Sequence, residues 1–313
     1  MGDKRKVAIA MAVLALALVG ASQLRPVRNL YFAMTYERIF DRYDQADRTV
    51  TDVTATVDAQ GREARVLSAY FGIDDGLPSP IADRVICDGA AGGDGMPVIF
   101  SHEIDVQTVE PGDFRVVQQS GAIGEVTCLT MAPADGPGEL RTVLLAGQFG
   151  DPDDPPTSVE IAGQILSQDQ SITFKGARVA VTPLEEGPGL VFAQVLHEAS
   201  WNLGQKATSI PFGGGSGCPM GTKQIVMVTW GGGITKPSGD PADAQEGALY
   251  QITLAGSDAI VSPSALADTG DGDNNHKLCL DKMHPVSEVH FPAGHVTDPR
   301  DDLNPATSVS ITP

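Results

Sequence analysis

From about residue 49 onward, short apolar runs alternate with clusters of glycine and proline. This texture predicts strands separated by turns. The clearest run is Gln224–Trp230, whose side chains are expected to divide between two faces, with Val226, Val228 and Trp230 on one and Ile225, Met227 and Thr229 on the other. The other main predicted strands are Arg65–Phe71, Pro97–Ile104, Phe114–Gln118, Val126–Met131, Leu140–Phe149, Ser158–Ile161, Ala177–Thr182, Leu190–Leu196, Leu249–Leu254 and Thr307–Ile311.

This strand spacing predicts an all-β fold built from β-sandwiches. No useful stretch of helical periodicity follows Asp44, which disfavours an α/β fold because parallel strands need crossover helices. A turn-rich segment, Pro183–Pro188, separates two groups of predicted strands. We therefore predict two β-sandwich domains, at residues 61–186 and 187–313.

The first residues indicate export. Positions 4–6 are basic, Val7–Val19 is an uninterrupted apolar run, and the small residues Gly20 and Ala21 follow it. This is the layout of a secretory signal peptide, which we assign to residues 1–21. The apolar run is short for a membrane span, which needs roughly 20 residues. We expect a secreted or periplasmic protein with no stable membrane span after cleavage; an uncleaved signal anchor is the alternative.

Residues 22–60 form an N-terminal segment of different texture. Within it, Leu30–Tyr43 carries aromatic and aliphatic side chains at helical spacing, with charged residues between them. The pattern predicts one short amphipathic helix before the two β domains.

The chain is strongly acidic, with a formal net charge of −19. Such a surface repels nucleic-acid phosphates and anionic lipids, so nucleic acid is excluded as a partner. Acidity suits cations and also keeps an exported protein soluble. A protein or a surface polymer is the class of partner that this composition leaves open.

The four cysteines, Cys87, Cys128, Cys218 and Cys279, form no C-x-x-C pair, so a zinc knuckle is not indicated. An even number of cysteines in an oxidising compartment indicates disulfides. Three pairings are open. We favour Cys87–Cys128 and Cys218–Cys279, because each then closes within one half of the chain, and each would stabilise the fold by about 4 kcal/mol.

The densest polar segment, residues 268–276, offers four candidate oxygen ligands for calcium: Asp268, Asp271, Asp273 and Asn275. Asp271, Asp273 and Asn275 have the spacing of the first three ligands of an EF-hand loop. That loop would need glycine and glutamate where the sequence has His276 and Lys282, and no helices flank it, so an EF-hand is excluded. We predict a different calcium-binding loop; the alternative is a solvated turn.

Histidines supply a competing hypothesis, a secreted metal-dependent hydrolase whose metal would be held by His276, His284, His290 and His295. Their spacing matches neither one helix face nor H-E-x-x-H. The glycine-rich stretch Gly213–Cys218 lacks the Gly-x-Ser-x-Gly pattern of a nucleophile elbow, and we read it as a flexible loop ending at a disulfide. We assign no catalytic residues.

Residues Pro97–Val117 read PVIFSHEIDVQTVEPGDFRVV. This stretch resembles the opening of bacterial Ig-like domains of the SbsA-like kind, in which a strand, a polar break, a Thr-Val-x-Pro-x-x-Phe connection and a second strand follow one another. The matching residues here are Thr108, Val109, Pro111, Asp113 and Phe114. The resemblance covers under a fifth of the chain. It implies an extracellular β-sandwich module that spaces, displays or binds, without catalytic residues.

These patterns together predict an exported, non-catalytic β-sandwich protein with a structural or binding role at the cell envelope or outside the cell, stabilised by calcium.

Overall fold

The computed structural model describes residues 52–78, 81–207 and 214–312. The predicted signal peptide at residues 1–21 and the predicted helix Leu30–Tyr43 lie outside these residues. Within them the chain forms fifteen β-strands and two one-turn α-helices, α1 (Ile81–Val85) and α2 (Ala244–Gly247). The prediction of a mostly β protein is therefore confirmed.

The first seven strands form a closed barrel. They are β1 (Val66–Tyr70), β2 (Asp94–Phe100), β3 (Phe114–Gln118), β4 (Ile123–Thr130), β5 (Thr142–Gln148), β6 (Pro156–Ile161) and β7 (Arg178–Thr182). Their order around the barrel is β1-β2-β5-β4-β3-β6-β7. Neighbours are antiparallel except β1 and β7, which pair in parallel through Ala69 with Val181 and Tyr70 with Thr182.

Closure of this ring corrects the sandwich predicted for residues 61–186. A sandwich would leave β1 and β7 as edge strands with unpaired backbone groups, whereas their pairing removes both edges. The enclosed core contains large apolar side chains from several strands, among them Phe100, Phe114, Leu145 and Val159.

The remaining strands form two four-stranded sheets. They are β8 (Leu190–Val195), β9 (Gln224–Trp230), β10 (Gln251–Leu254), β11 (Ile260–Val261), β12 (Ala265–Ala267), β13 (Asn275–Leu280), β14 (Val286–Phe291) and β15 (Thr307–Ser310). One sheet has the order β12-β13-β9-β8 and the other β11-β10-β14-β15. A single core holds side chains from both sheets, including Trp230, Tyr250 and Phe291. We call β8–β15 the C-terminal sheets.

Strand β9 shows how the sheets and the barrel meet. Val226, Val228 and Trp230 lie in the core between the two sheets, whereas Ile225 and Met227 lie in a separate cluster on the opposite face. That cluster also includes Leu67 of β1, so the barrel packs against the outer face of the β8–β9–β13 sheet. The predicted division of this strand into two apolar faces is confirmed, and both faces are buried.

Two disulfides pin the fold. Cys87 pairs with Cys128 of β4, with Cα atoms 6.5 Å apart, and Cys218 pairs with Cys279 of β13, with Cα atoms 5.7 Å apart. These are the two pairings favoured from the sequence. Each bond closes either within the barrel part or within the C-terminal sheets, so neither crosses between them.

Strand β7 ends at Thr182 and β8 begins at Leu190, on either side of the predicted break. The domain limits at residues 186 and 187 stay a prediction. None of the helices in the described part of the chain has the length and apolar character that a membrane span requires.

Candidate cation site between the barrel and the C-terminal sheets

The structure brings three of the four predicted calcium ligands together with one glutamate. Asp268, Asp271 and Asp273 lie in the connection between the adjacent strands β12 and β13, and Glu139 reaches them from the β4–β5 connection of the barrel. All four are buried; Glu139 is only 2% exposed. One carboxylate oxygen from each of Glu139, Asp268 and Asp273 lies within 4.8 Å of the others. We call these four residues the carboxylate cluster.

The glycine-rich segment at residues 214–217 packs directly against this cluster. A Cβ atom on Gly215 would overlap Asp271 Oδ2 and lie 2.8 Å from Asp268 Oδ1, so only glycine lets the backbone approach both carboxylates. The Ser216 carbonyl accepts a hydrogen bond from Asp268 N at 2.7 Å. The Cys218–Cys279 disulfide holds the end of this segment on β13. The stretch read from sequence as a flexible loop therefore covers the cluster.

Asn275, the fourth predicted ligand, hydrogen-bonds within this region. Its backbone N and side-chain Nδ2 donate to Asp273 Oδ1 and Oδ2, at 2.9 and 2.8 Å. Its own side-chain oxygen accepts a hydrogen bond from Thr229 Oγ1 at 2.8 Å. Asn275 thus orients Asp273, with its carbonyl oxygen turned toward β9.

One buried cation lies in the cluster. Lys277 Nζ is 2.5 Å from Glu139 Oε1 and 3.2 Å from Asp268 Oδ2. When all groups are ionised, four carboxylates and one ammonium leave three negative charges without a partner. Burying an unpaired charge is expensive, so the cluster must take up protons or a further cation.

The titration behaviour of the cluster follows from this crowding. Burial, reinforced by the neighbouring carboxylates, raises the pKa of Asp268 and Asp273 well above the usual value, and it raises the pKa of Asp271 as well. Burial alone would lower the pKa of Lys277, but the charges of Glu139 and Asp268 outweigh it and raise that pKa. The ammonium of Lys277 is therefore a fixed charge at neutral pH.

The donor set defines which ions fit. The cluster offers carboxylate oxygens, which suit hard cations such as Ca²⁺ and Mg²⁺. All four cysteines are in disulfides, so no thiolate is present for a softer metal. This buried acidic cluster can bind a metal ion. The sequence does not point to Glu139, because this residue lies far before the acidic segment in the chain. It does not point to Lys277, because this residue belongs to strand β13, which follows the segment.

Asp273 also borders a cavity of about 280 Å³ between the barrel and the C-terminal sheets. Its walls are mainly apolar and include Tyr70, Leu77 and Leu144. The cavity therefore brings open space to one side of the cluster.

A second acidic group lies on the barrel side. Asp74, Asp75 and Asp94 each place a carboxylate oxygen within 4.8 Å of the others. Asp94 is buried and accepts hydrogen bonds from the backbone N of Asp75 at 2.9 Å and of Phe149 at 2.5 Å. Asp94 therefore has a local structural role. It links the start of β2 to the backbone at Asp75 and to the residue that follows β5.

The histidines of the hydrolase hypothesis do not converge on a metal site. No histidine belongs to either group of three or more close metal-ligating side chains among the described residues. His290 Nδ1 lies 3.0 Å from Ser308 Oγ at the sheet edge, and His295 is exposed. The structure gives the hydrolase alternative no support.

His276 has a different environment from the other histidines. Its Nδ1 lies 2.8 Å from Tyr250 Oη, which also accepts a hydrogen bond from Trp230 Nε1 at 2.9 Å. Burial lowers the pKa of His276 to about 4. The neutral ring therefore forms part of a buried hydrogen-bond network inside the core between the two sheets.

No protein-family model matches this chain, and no curated protein matches it in sequence. Among solved structures, it is similar to the N-terminal part of the bacterial S-layer protein SbsC, with 10% identity and a TM-score of 0.27 over 71% of this chain and 45% of that one. It is also similar to domains 1–6 of the surface layer protein SbsC, with 8% identity and a TM-score of 0.27 over 80% of this chain and 40% of that one. The chain thus spans less than half the length of either structure.

Proposed function

We propose that this chain is an exported, non-catalytic β protein with a structural or binding role at the cell envelope or outside the cell, and that a calcium ion held by the carboxylate cluster stabilises it. Two disulfides support an oxidising compartment, since thiols stay reduced in the cytosol. The strong negative charge of the chain favours solubility outside the cell and attracts cations.

A single observation carries the calcium part of this proposal. Four carboxylates, Glu139, Asp268, Asp271 and Asp273, are buried together, and the one ammonium group among them, that of Lys277, contacts Glu139 and Asp268. A divalent cation would reduce the excess of three negative charges to one. Protonation of the carboxylates is the other way to reduce this negative charge, and it becomes less favourable as the pH rises above neutrality.

Calcium fits this cluster better than magnesium. Ca²⁺ accepts roughly six to eight oxygens in irregular geometry, whereas Mg²⁺ demands a near-octahedral shell and retains several waters. Carboxylates from two separate connections of the chain suit such a flexible shell, and one oxygen from each of Glu139, Asp268 and Asp273 lies within 4.8 Å of the others.

Isothermal calorimetry and thermal unfolding of the disulfide-intact protein test the proposal. We expect heat on calcium addition and a melting temperature that rises with calcium, since ligand at 100 times its dissociation constant stabilises by about 2.7 kcal/mol. Asp268→Asn should weaken binding strongly, because Asp268 contributes one of the three oxygens that lie within 4.8 Å of one another. Asp153→Asn, at an exposed acidic turn, is the matched control and should bind as the wild type does. No heat and no melting shift at about millimolar calcium, the range of weak extracellular sites, would end the proposal.

Elemental analysis of the purified protein tests the non-catalytic part. Stoichiometric zinc, copper or iron would favour a metal-dependent enzyme over the role proposed here. Calcium alone agrees with the proposal.

A further inference from the structure

The carboxylate cluster is assembled from two parts of the chain that are far apart in sequence. Glu139 comes from the β4–β5 connection of the barrel, whereas the three aspartates come from the β12–β13 connection of the C-terminal sheets. Because oxygens of Glu139, Asp268 and Asp273 lie within 4.8 Å of one another, an ion between them would touch both parts.

One buried oxygen of the cluster has an ion-pair contact but no hydrogen bond. Asp268 Oδ2 is completely buried and accepts no hydrogen bond, and Asp268 is 5% exposed. Its charged neighbour is Lys277 Nζ at 3.2 Å, a contact that lacks hydrogen-bond geometry. A buried carboxylate oxygen without a hydrogen bond is costly, and the ion pair with Lys277 offsets part of this cost. A cation bound among the carboxylates would offset more of it.

The barrel connection that carries Glu139 is held firmly against the sheet. A Cβ atom at Gly138 would lie 2.9 Å from Leu196 Cδ2, so the backbone approaches the end of β8 closely at this point. Two residues after Glu139, the Arg141 guanidinium lies over the Phe192 ring, 3.8 Å from its centre. Packing on both sides of Glu139 therefore fixes where its carboxylate lies.

We propose that the calcium ion forms a bridge between the barrel and the C-terminal sheets, with Glu139 as the barrel's ligand. This inference rests on the proposed function, that the cluster holds calcium. Without the ion, the Lys277 ammonium pairs with Glu139 and Asp268 across the junction, but with all groups ionised three negative charges remain without a partner. With the ion, the same charges attract it from both sides. Calcium concentration then determines how firmly the barrel is held.

The bridge matters because no disulfide links the barrel to the C-terminal sheets. Cys87–Cys128 lies within the barrel part and Cys218–Cys279 within the C-terminal sheets, so neither disulfide crosses the junction. Apart from the chain itself between β7 and β8, the two parts are held together by non-covalent contacts.

Hydrogen exchange on the full chain, with and without calcium, tests the bridge. In the wild type we expect calcium to slow exchange at residues 136–141 and at residues 268–274 together. Glu139→Gln should weaken calcium affinity by about tenfold or more, equivalent to at least about 1.4 kcal/mol, and should abolish the protection at residues 136–141. Glu125→Gln, exposed on the neighbouring strand β4, is the matched control and should behave as the wild type does.

The outcomes separate this inference from the proposed function. A wild-type chain that releases no heat with calcium overturns both. Tight binding by the wild type, with equal affinity in Glu139→Gln and exchange slowed at residues 268–274 alone, overturns the bridge and leaves the calcium site intact. If Glu139→Gln does not fold, Glu139→Asp replaces it, because it keeps the charge but shortens the reach. Unchanged affinity in Glu139→Asp would likewise overturn the bridge.

Discussion

Removal of one buried hydroxyl, by Tyr250→Phe, should destabilise the protein substantially. Tyr250 Oη accepts from Trp230 Nε1 at 2.9 Å and contacts His276 Nδ1 at 2.8 Å, and all three side chains are at most 5% exposed. The variant keeps the ring and its packing but leaves a buried donor and a buried ring nitrogen without partners. At about 1–3 kcal/mol for each, with partial relaxation, we expect a loss of about 2–4 kcal/mol. That is a large share of the about 5–15 kcal/mol typical of folded proteins.

Equilibrium unfolding in urea at neutral pH, with disulfides intact, measures this loss. Ser287→Ala is the control, because it also removes one hydroxyl, but from an exposed side chain whose hydrogen bond to Thr253 O, at 3.3 Å, water can replace. The reasoning fails if Tyr250→Phe loses under about 0.5 kcal/mol, the usual range of surface substitutions, or no more than Ser287→Ala.

Three further predictions concern the fold. His276 has a pKa of about 4 in the folded protein and an ordinary value of 6.5, so the unfolded chain takes up its proton first as the pH falls. Stability should therefore drop by about 3 kcal/mol between pH 6.5 and 4 on account of this residue. The raised pKa values of the aspartates act in the opposite direction, so the test compares urea midpoints at two pH values in the wild type and His276→Gln; equal pH dependence would contradict the assignment. Replacing both Cys87 and Cys128 by serine should lower the free energy of unfolding by about 4 kcal/mol, measured by calorimetry, and a negligible change would show that the bond does not constrain the unfolded chain. Gly147→Ala should prevent folding or reduce soluble yield severely, because the added Cβ would overlap the Glu125 carbonyl oxygen in the paired strand β4; a soluble variant of wild-type stability would refute the barrel packing there.

The alternation of apolar and polar side chains along the chain predicts several strands of the fold. Gln224–Trp230 and Phe114–Gln118 were predicted with the limits of β9 and β3, because alternating side chains reveal which faces a strand will bury. The two disulfide partners could be favoured from spacing, although spacing alone left three pairings open. The mostly β class followed from the same signals.

The sequence does not predict strand β13 (Asn275–Leu280), because its first residues are polar. It begins with Asn275, His276 and Lys277, residues that read locally as the end of a polar loop. Each is buried because a distant residue satisfies it: Thr229, Tyr250 and Glu139, respectively. Local sequence carries no signal for partners that lie from 26 to 138 residues away.

Strand texture, the acidic character of residues 268–276 and the number of cysteines follow from the amino-acid sequence alone, since they depend on neighbouring residues or on composition. The closure of the barrel by β1 and β7, and the approach of Glu139 to Lys277 and the aspartates, follow from the packing of the folded chain. Those contacts link segments more than 100 residues apart, and whether they form depends on how whole sheets pack rather than on any local preference.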